Sequence, residues 1–151
     1  MRVVLQRVLH TTVSVDEEIV GIIGSGYLLL LGVEEDDTEE DRDWLVRKII
    51  GMRIFNDSDG KMNLSINEVN GEILVVSQFT LFASVKKGNR PSFIKAANPE
   101  FAEEMYVSFS NSILDELDSG IVQNGVFGAD MQVEILNDGP VTILLDSKNR
   151  E

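Results

Sequence analysis

Phe101, Met105, Phe109, Ile113 and Leu117 recur at every fourth position along one stretch of this chain, whereas its two ends alternate apolar and polar residues. That contrast constrains the fold most, because a four-residue recurrence keeps side chains on one face of a helix and alternation keeps them on one face of a strand. Asn98-Pro99-Glu100 opens the helix with an N-cap and a proline at its first position, and Ser119-Gly120 closes it. A second helix is expected from Asp37, which is spaced from Glu40 like a capping box, with Leu45, Ile49 and Met52 on one face. Before it, residues 3–15 read as one long strand, a turn at Asp16-Glu17-Glu18 leads into residues 19–23, and Gly24-Ser25-Gly26 is a turn. Tyr27 to Val33 is apolar enough for a strand buried on both faces, and Ile73 to Ser77 is a shorter β-branched one. Asn56 to Gly60 is turn chemistry. Met131 to Leu136 and Val141 to Leu145 read as closing strands on either side of a turn at Asn137-Asp138-Gly139-Pro140. Strands first, two helices in the middle and strands last describe one mixed α/β domain over residues 1–151, and 43% apolar content suffices for its core.

The absence of cysteine excludes disulfides, thiolate nucleophiles and zinc–sulfur sites, and fits a reducing compartment. The N-terminus reads as a strand rather than a signal peptide, and the longest apolar run, Tyr27 to Leu31, is too short to cross a bilayer. A soluble, cytoplasmic protein without a membrane partner is the expectation. A net charge of −13 argues at first against a nucleic-acid partner. The distribution is uneven, however: between Glu72 and Glu100 there is no acid, and Lys86, Lys87, Arg90 and Lys95 lie there. Glu34 to Asp43 holds eight acids against Arg42. On charge alone, a solvated helix start and an ordinary basic loop account for both segments.

Several constellations fail. Gly24-x-Gly26 lacks a third glycine and leads into a strand, so it is no dinucleotide fingerprint. Asp57-x-Asp59-Gly60 has Phe55 and Ile66 where a calcium loop needs its first and last ligands. His10 is the only histidine, which leaves a metal site to carboxylates and a Ser-His-Asp triad to one strand residue that reads as structural. Met62, Met105 and Met131 read as core filler and Trp44 as a packing residue. A hydrolase built from this chain would have to act on a reactive substrate, by positioning and by donors aimed at an oxyanion.

At Val76-Ser77-Gln78-Phe79-Thr80-Leu81 and at Asn137-Asp138-Gly139-Pro140-Val141-Thr142 the sequence resembles the D-aminoacyl-tRNA deacylases. Gln6-Arg7-Val8, Gly60-Lys61-Met62-Asn63, Lys87-Gly88-Asn89-Arg90-Pro91-Ser92-Phe93 and Phe127-Gly128-Ala129-Asp130-Met131 carry the resemblance in order through nearly the whole chain. His10-Thr11-Thr12 departs from it, where the family more often has smaller or basic residues. The resemblance implies hydrolysis of the ester between a D-amino acid and the terminal adenosine of tRNA, with glycine also removed, and no metal or organic cofactor. It implies a three-layer fold of mostly antiparallel sheets with two main helices, working as a homodimer with each active site at the interface. In that family the peptide matching Gly139-Pro140 is cis and reaches into the partner's pocket.

The residues fit these roles, each beside a plainer one. Backbone N–H groups of Phe79 and Thr80 are the expected oxyanion donors because the strand ends there; the alternative is ladder bonding within a sheet. Gln78 adds a side-chain donor and Ser77 holds the adenosine. The Thr80 hydroxyl has no adjacent base, which makes it a poor nucleophile. Arg7 is either a brace for the Gly139-Pro140 loop or a solvent-facing strand residue. Phe127 and Met131 belong either to the adenosine wall or to the core, and Lys86, Lys87 and Arg90 would meet acceptor-stem phosphates. The rival readings are a non-catalytic dimeric RNA-binding module and an editing module serving a synthetase; the lack of a linker favours a freestanding enzyme.

Overall fold

The structure, a computed structural model, describes residues 1–150. Its spine is β1 (Arg2–Val15). One edge of β1 pairs antiparallel with β3 (Gly26–Gly32) from Arg2 to Val8, then with β2 (Glu18–Ile23) from Thr11 to Val15. Its other edge pairs antiparallel with β8 (Gln132–Asp146). Beyond β3 the sheet continues in parallel to β6 (Glu72–Ser77) and then to β7 (Val122–Asn124). Parallel neighbours need crossovers, and α1 (Glu39–Gly51) and α2 (Pro99–Glu116) supply them. A small hairpin, β4 (Phe55–Asn56) with β5 (Met62–Leu64), precedes β6. Its turn is held by the Asp57 carboxylate, which accepts from the N–H groups of Asp59 at 2.9 Å and Lys61 at 3.0 Å.

Alternation along the central strands divides the interior in two. Tyr27, Leu29 and Leu31 of β3 and Ile73 and Val75 of β6 face the helices and pack with Leu45, Ile49, Phe109 and Ile113. Leu28, Leu74 and Val76 point the other way, meeting Val8, Val13 and Ile23 inside the curl of the sheet. Both faces of β3 and β6 are thus buried, which the unbroken apolar run from Tyr27 requires. The curl brings β2 over β6 and β7: a Cβ on Gly21 would lie 3.0 Å from Leu74 Cδ1 and 3.2 Å from Asn124 O.

The helices, the long first strand and the doubly buried third strand match the sequence reading, and three details differ. The capping box sits one residue later, where the Asp41 carboxylate accepts from the Thr38 N–H and hydroxyl, both at 2.9 Å. Asp37 is committed elsewhere, buried against the α-ammonium group of Met1 and accepting from the Glu34 N–H at 2.7 Å. The expected pair of closing strands is one strand, β8, in which residues 138–141 bulge out opposite Arg7, between the pairs Gln6–Thr142 and Val8–Asn137. Met105 is in the first core and Met131 packs against the second, but Met62 is exposed at the turn end of the hairpin, which gives Phe55 and Leu64 to the first core instead. Trp44 packs at the edge of the first core, with the Arg150 guanidinium 5.3 Å from its ring centroid. Among the described residues no helix is long and apolar enough to cross a membrane.

Asp41 generates a test of this framework. Burial alone would raise its pKa, but hydrogen bonds from Lys148, Ser147 and Thr38 outweigh it and hold the carboxyl well below the usual range. A depressed folded-state pKa stabilises fully above the unfolded value of about 3.9, and that contribution is lost as pH falls through the folded value. The urea midpoint should therefore drop as pH falls below about 4. Asp41→Asn should lower the midpoint at neutral pH and flatten the acid limb; an equally steep limb in the variant would contradict this account.

Candidate functional site

β6 delivers the Ser77-Gln78-Phe79-Thr80 segment to the end of the sheet. Ser77 pairs with Leu31, and the Gln78 N–H donates to Leu31 O at 2.7 Å as the last rung. The chain then tightens into a 3-10 turn, Phe79–Phe82, for which the sequence held no signal. The far end of that turn is pinned. Phe82 is buried beneath the Arg2 guanidinium, 4.7 Å from the ring centroid, and Arg2 donates to Leu81 O at 3.0 Å. The near end is open: the N–H groups of Phe79 and Thr80 precede the turn's first hydrogen bond, from Leu81 N–H to Gln78 O at 3.3 Å, and find no acceptor among the described residues. The Gln78 side-chain amide donates to the Thr80 hydroxyl.

Beside this open end lies a cavity of about 590 Å³. Ser77, Gln78 and Phe79 form one side of it and residues 127–131 another. Buried Tyr106 and neighbouring Ala102 of α2 form the floor, and exposed Phe93 stands at the rim. Phe79 is more than half exposed and meets Phe93 edge to face, with ring centroids 5.0 Å apart. Phe127 tilts against Tyr106 at 5.8 Å. Burial pushes the Tyr106 phenol pKa up, against a smaller lowering by its hydrogen bond to Gly125. A cavity walled by rings, with backbone donors at one edge, suits a flat aromatic ligand that carries a polar group.

The other expected residues lie outside the cavity in this one chain. Thr80 is exposed beside it. Arg7 is buried rather than solvent-facing; its Nε donates to Asp138 O at 3.2 Å and pairs with the Asp138 carboxylate at 3.0 Å, while Nη1 donates to Ile54 O. The Gly139–Pro140 peptide is cis and both residues are exposed. A Cβ on Gly139, whose φ is +114°, would come within 2.9 Å of Arg7 Nη2, so that position requires glycine. Lys86, Lys87 and Arg90 are exposed on a loop closed by two bonds between Ser84 and Ser92, at 2.8 and 2.9 Å. Six residues past that closure, at the N-cap of α2, the Glu35 carboxylate accepts from the Asn98 N–H and side-chain amide at 3.0 Å each. Among the described residues, no group of three or more His, Cys, Asp or Glu side chains is placed to hold a metal ion.

Sequence reasoning gave Phe93, Ala102 and Tyr106 no role. The one usable signal was Tyr106 beside Met105 in the apolar stripe, because a buried tyrosine needs a partner for its hydroxyl.

Residues 4–146 match the family described as D-Tyr-tRNA(Tyr) deacylase. A D-aminoacyl-tRNA deacylase of Flavobacterium johnsoniae is 57% identical over 151 residues, covering all of both chains. That of Christiangramia forsetii is 55% identical over 150 residues, 99% of each. A solved structure described as c-Myc DNA Unwinding Element Binding Protein superposes with a TM-score of 0.91 at 44% identity, covering 97% of this chain and 98% of that one. A probable eukaryotic D-amino acid tRNA deacylase superposes with a TM-score of 0.82 over 95% and 97% of the two chains; at 20% identity it speaks for the fold alone.

The placement of Arg7 is open to direct test. Lysine keeps the charge, but its single ammonium cannot span Ile54 O and Asp138 as the guanidinium does. Arg7→Lys should lower the unfolding free energy by about 1–3 kcal/mol and speed amide exchange at Gly139. Parental stability with parental exchange would show that the bulge does not depend on Arg7.

Proposed function

The chain belongs to the D-Tyr-tRNA(Tyr) deacylase family, and from that premise we propose that it is a D-aminoacyl-tRNA deacylase. It hydrolyses the ester joining a D-amino acid, or glycine, to the terminal adenosine of tRNA. The observation that carries this reading is the ring-lined cavity, which Phe79 lines at the start of a turn whose Phe79 and Thr80 N–H groups have no acceptor among the described residues. Phe127 and Met131 line the adenosine, Ser77 holds it, and Gln78, Phe79 and Thr80 face the ester. Water adds to the carbonyl carbon, charge gathers on the carbonyl oxygen, and the ribose oxygen leaves with a proton. The neighbouring 2′-hydroxyl makes this ester labile, and each donor aimed at the oxyanion adds about 3–4 kcal/mol. No step calls for a metal or organic cofactor.

In this reading the chain acts as one domain over residues 1–151, in the cytoplasm, as a homodimer. Gly139 and Pro140, exposed in one chain, enter the cavity of the partner subunit with Arg7 bracing them from behind. Their role is to exclude the L isomer. Rejecting it about ten-thousandfold requires roughly 5.5 kcal/mol, more than a single missing hydrogen bond supplies, and backbone carbonyls obstruct well because no rotamer change moves them aside. Lys86, Lys87 and Arg90 meet acceptor-stem phosphates on an otherwise acidic molecule.

A time course with D-tyrosyl-, L-tyrosyl- and glycyl-tRNA side by side should show release of D-tyrosine and glycine with L-tyrosine spared. Tight tRNA binding without any release would favour the non-catalytic RNA-binding module instead. In the same assay Thr80→Ala should keep substantial activity while a 2′-deoxy terminal adenosine loses most of it; an acyl-enzyme trapped on Thr80 would overturn this mechanism. Removing Lys86, Lys87 and Arg90 together should flatten the salt dependence of tRNA binding by about 0.7–0.9 in log–log slope for each phosphate left unneutralised. An unchanged slope would mean that the RNA docks elsewhere.

A further inference from the structure

We propose that Tyr106 is a positioning residue for this site: its hydroxyl ties together the two chain segments that part to form the cavity, and so sets the width open to the terminal adenosine. The proposal rests on the deacylase reading. β6 and β7 pair in parallel as far as Val75 and Asn124 and no further. One arm then continues through Val76 to Ser77, Gln78 and Phe79, the other through Gly125 to residues 127–131, and the cavity fills the fork between them. At the fork the Gly125 N–H donates to Val75 O at 2.9 Å. Tyr106 reaches this point from α2, with its hydroxyl 2.8 Å from Val75 O and 3.3 Å from Gly125 O, one carbonyl on each arm.

Both neighbours are carbonyl oxygens, so the hydroxyl must be the donor, bonded to the nearer and shared with the farther. The raised phenol pKa agrees with that assignment, since a protonated hydroxyl is the form that donates. The ring of the same residue lines the cavity and packs on Phe127 of the second arm. Within that arm the Met131 side chain folds back over Gly125, where a Cβ would stand 2.6 Å from its Sδ. Tyr106 thus faces the ligand with its ring and holds both walls with its hydroxyl. Ser110, one turn further along α2, provides the contrast. Its hydroxyl is 2.6 Å from Asn124 Oδ1, behind the fork, and it does not line the cavity.

The test compares Tyr106→Phe and Ser110→Ala with the parent protein, since each variant deletes one buried hydroxyl. Melting temperature, kcat and KM on D-tyrosyl-tRNA would be measured, together with Kd for a non-hydrolysable 3′-amide analogue of D-tyrosyl-adenosine. Tyr106→Phe should raise KM and Kd about fivefold, with a smaller change in kcat. Ser110→Ala should shift the melting temperature by a similar amount and leave KM and Kd parental. Parental KM and Kd in Tyr106→Phe, or an equal rise in both variants, would overturn the positioning role while the deacylase reading stands. A parent protein that neither cleaves the ester nor binds the analogue would remove that reading, and this proposal with it.

Discussion

Alternate residues of β1 direct their backbone N–H and C=O groups to opposite edges, and both edges are occupied, by β3 and β2 on one side and β8 on the other. With both ladders made, the register of β1 is locked. A slip of one residue would turn Val3 and Leu5 out of the first core and break pairing on two sides at once. The mismatch with β8 then falls in two adjacent places, a small one at Leu9 and a large one at Arg7. Residues 138–141 stand opposite Arg7 alone, and the polar groups of that bulge need partners beyond the regular ladder. Arg7 is the residue at the gap, and a buried guanidinium needs acceptors as much as displaced carbonyls need donors. The brace and the bulge therefore follow from one constraint, the double commitment of the first strand.

The acidic surplus follows a similar logic of placement. The eight acids between Glu34 and Asp43 are not merely a solvated run. Asp37 and Asp41 are buried, meeting the Met1 ammonium, Lys148 and the start of α1, while Glu35 holds Asn98 at the start of α2. The acidic segment thereby secures the N-terminus and the starts of both helices. Net charge was a poor guide here because charge acts within a Debye length of about 10 Å, and the two signs lie on different elements.

What the sequence disclosed depended on whether the deciding interaction was local. The α2 stripe, its Asn98 cap and the doubly buried β3 were legible because periodicity and capping act within a few residues. The cap of α1 was misplaced by one residue because the partner that claims Asp37 is Met1, distant along the chain. Asn137 to Pro140 read as a turn between strands because turns and bulges draw on the same residues, and only the partner strand distinguishes them. Met62 read as core because apolar identity does not reveal which residues of its hairpin face inward, and those are Phe55 and Leu64. Ser77 to Phe79 and Phe127 to Met131, which line the cavity, were singled out through likeness to a family, since nothing in their pattern announces a cavity. Tyr106 was missed for the complementary reason: its partners are two main-chain carbonyls, which leave no mark on the sequence at all.

The geometry also bears on how labour is divided between protein and substrate. The candidate site offers ring faces, a fork held at a set width and two backbone donors, and its chain has one histidine, on a strand whose His10 side chain is exposed away from the cavity lining. In the proposed function such a site selects by shape and stabilises developing charge, and contributes little as an acid or base. Under the proposed reading the chemistry resides in the lability of the ester and its neighbouring hydroxyl, and the protein's part is to admit the right ester. Admission by shape has a consequence of its own. A rigid backbone obstacle rejects an L side chain by excluding its volume, and glycine has no side chain to exclude. Under the proposed reading, acceptance of glycyl esters follows from the obstacle that excludes the L isomer, because no rearrangement of a steric obstacle bars glycine and still admits a D residue.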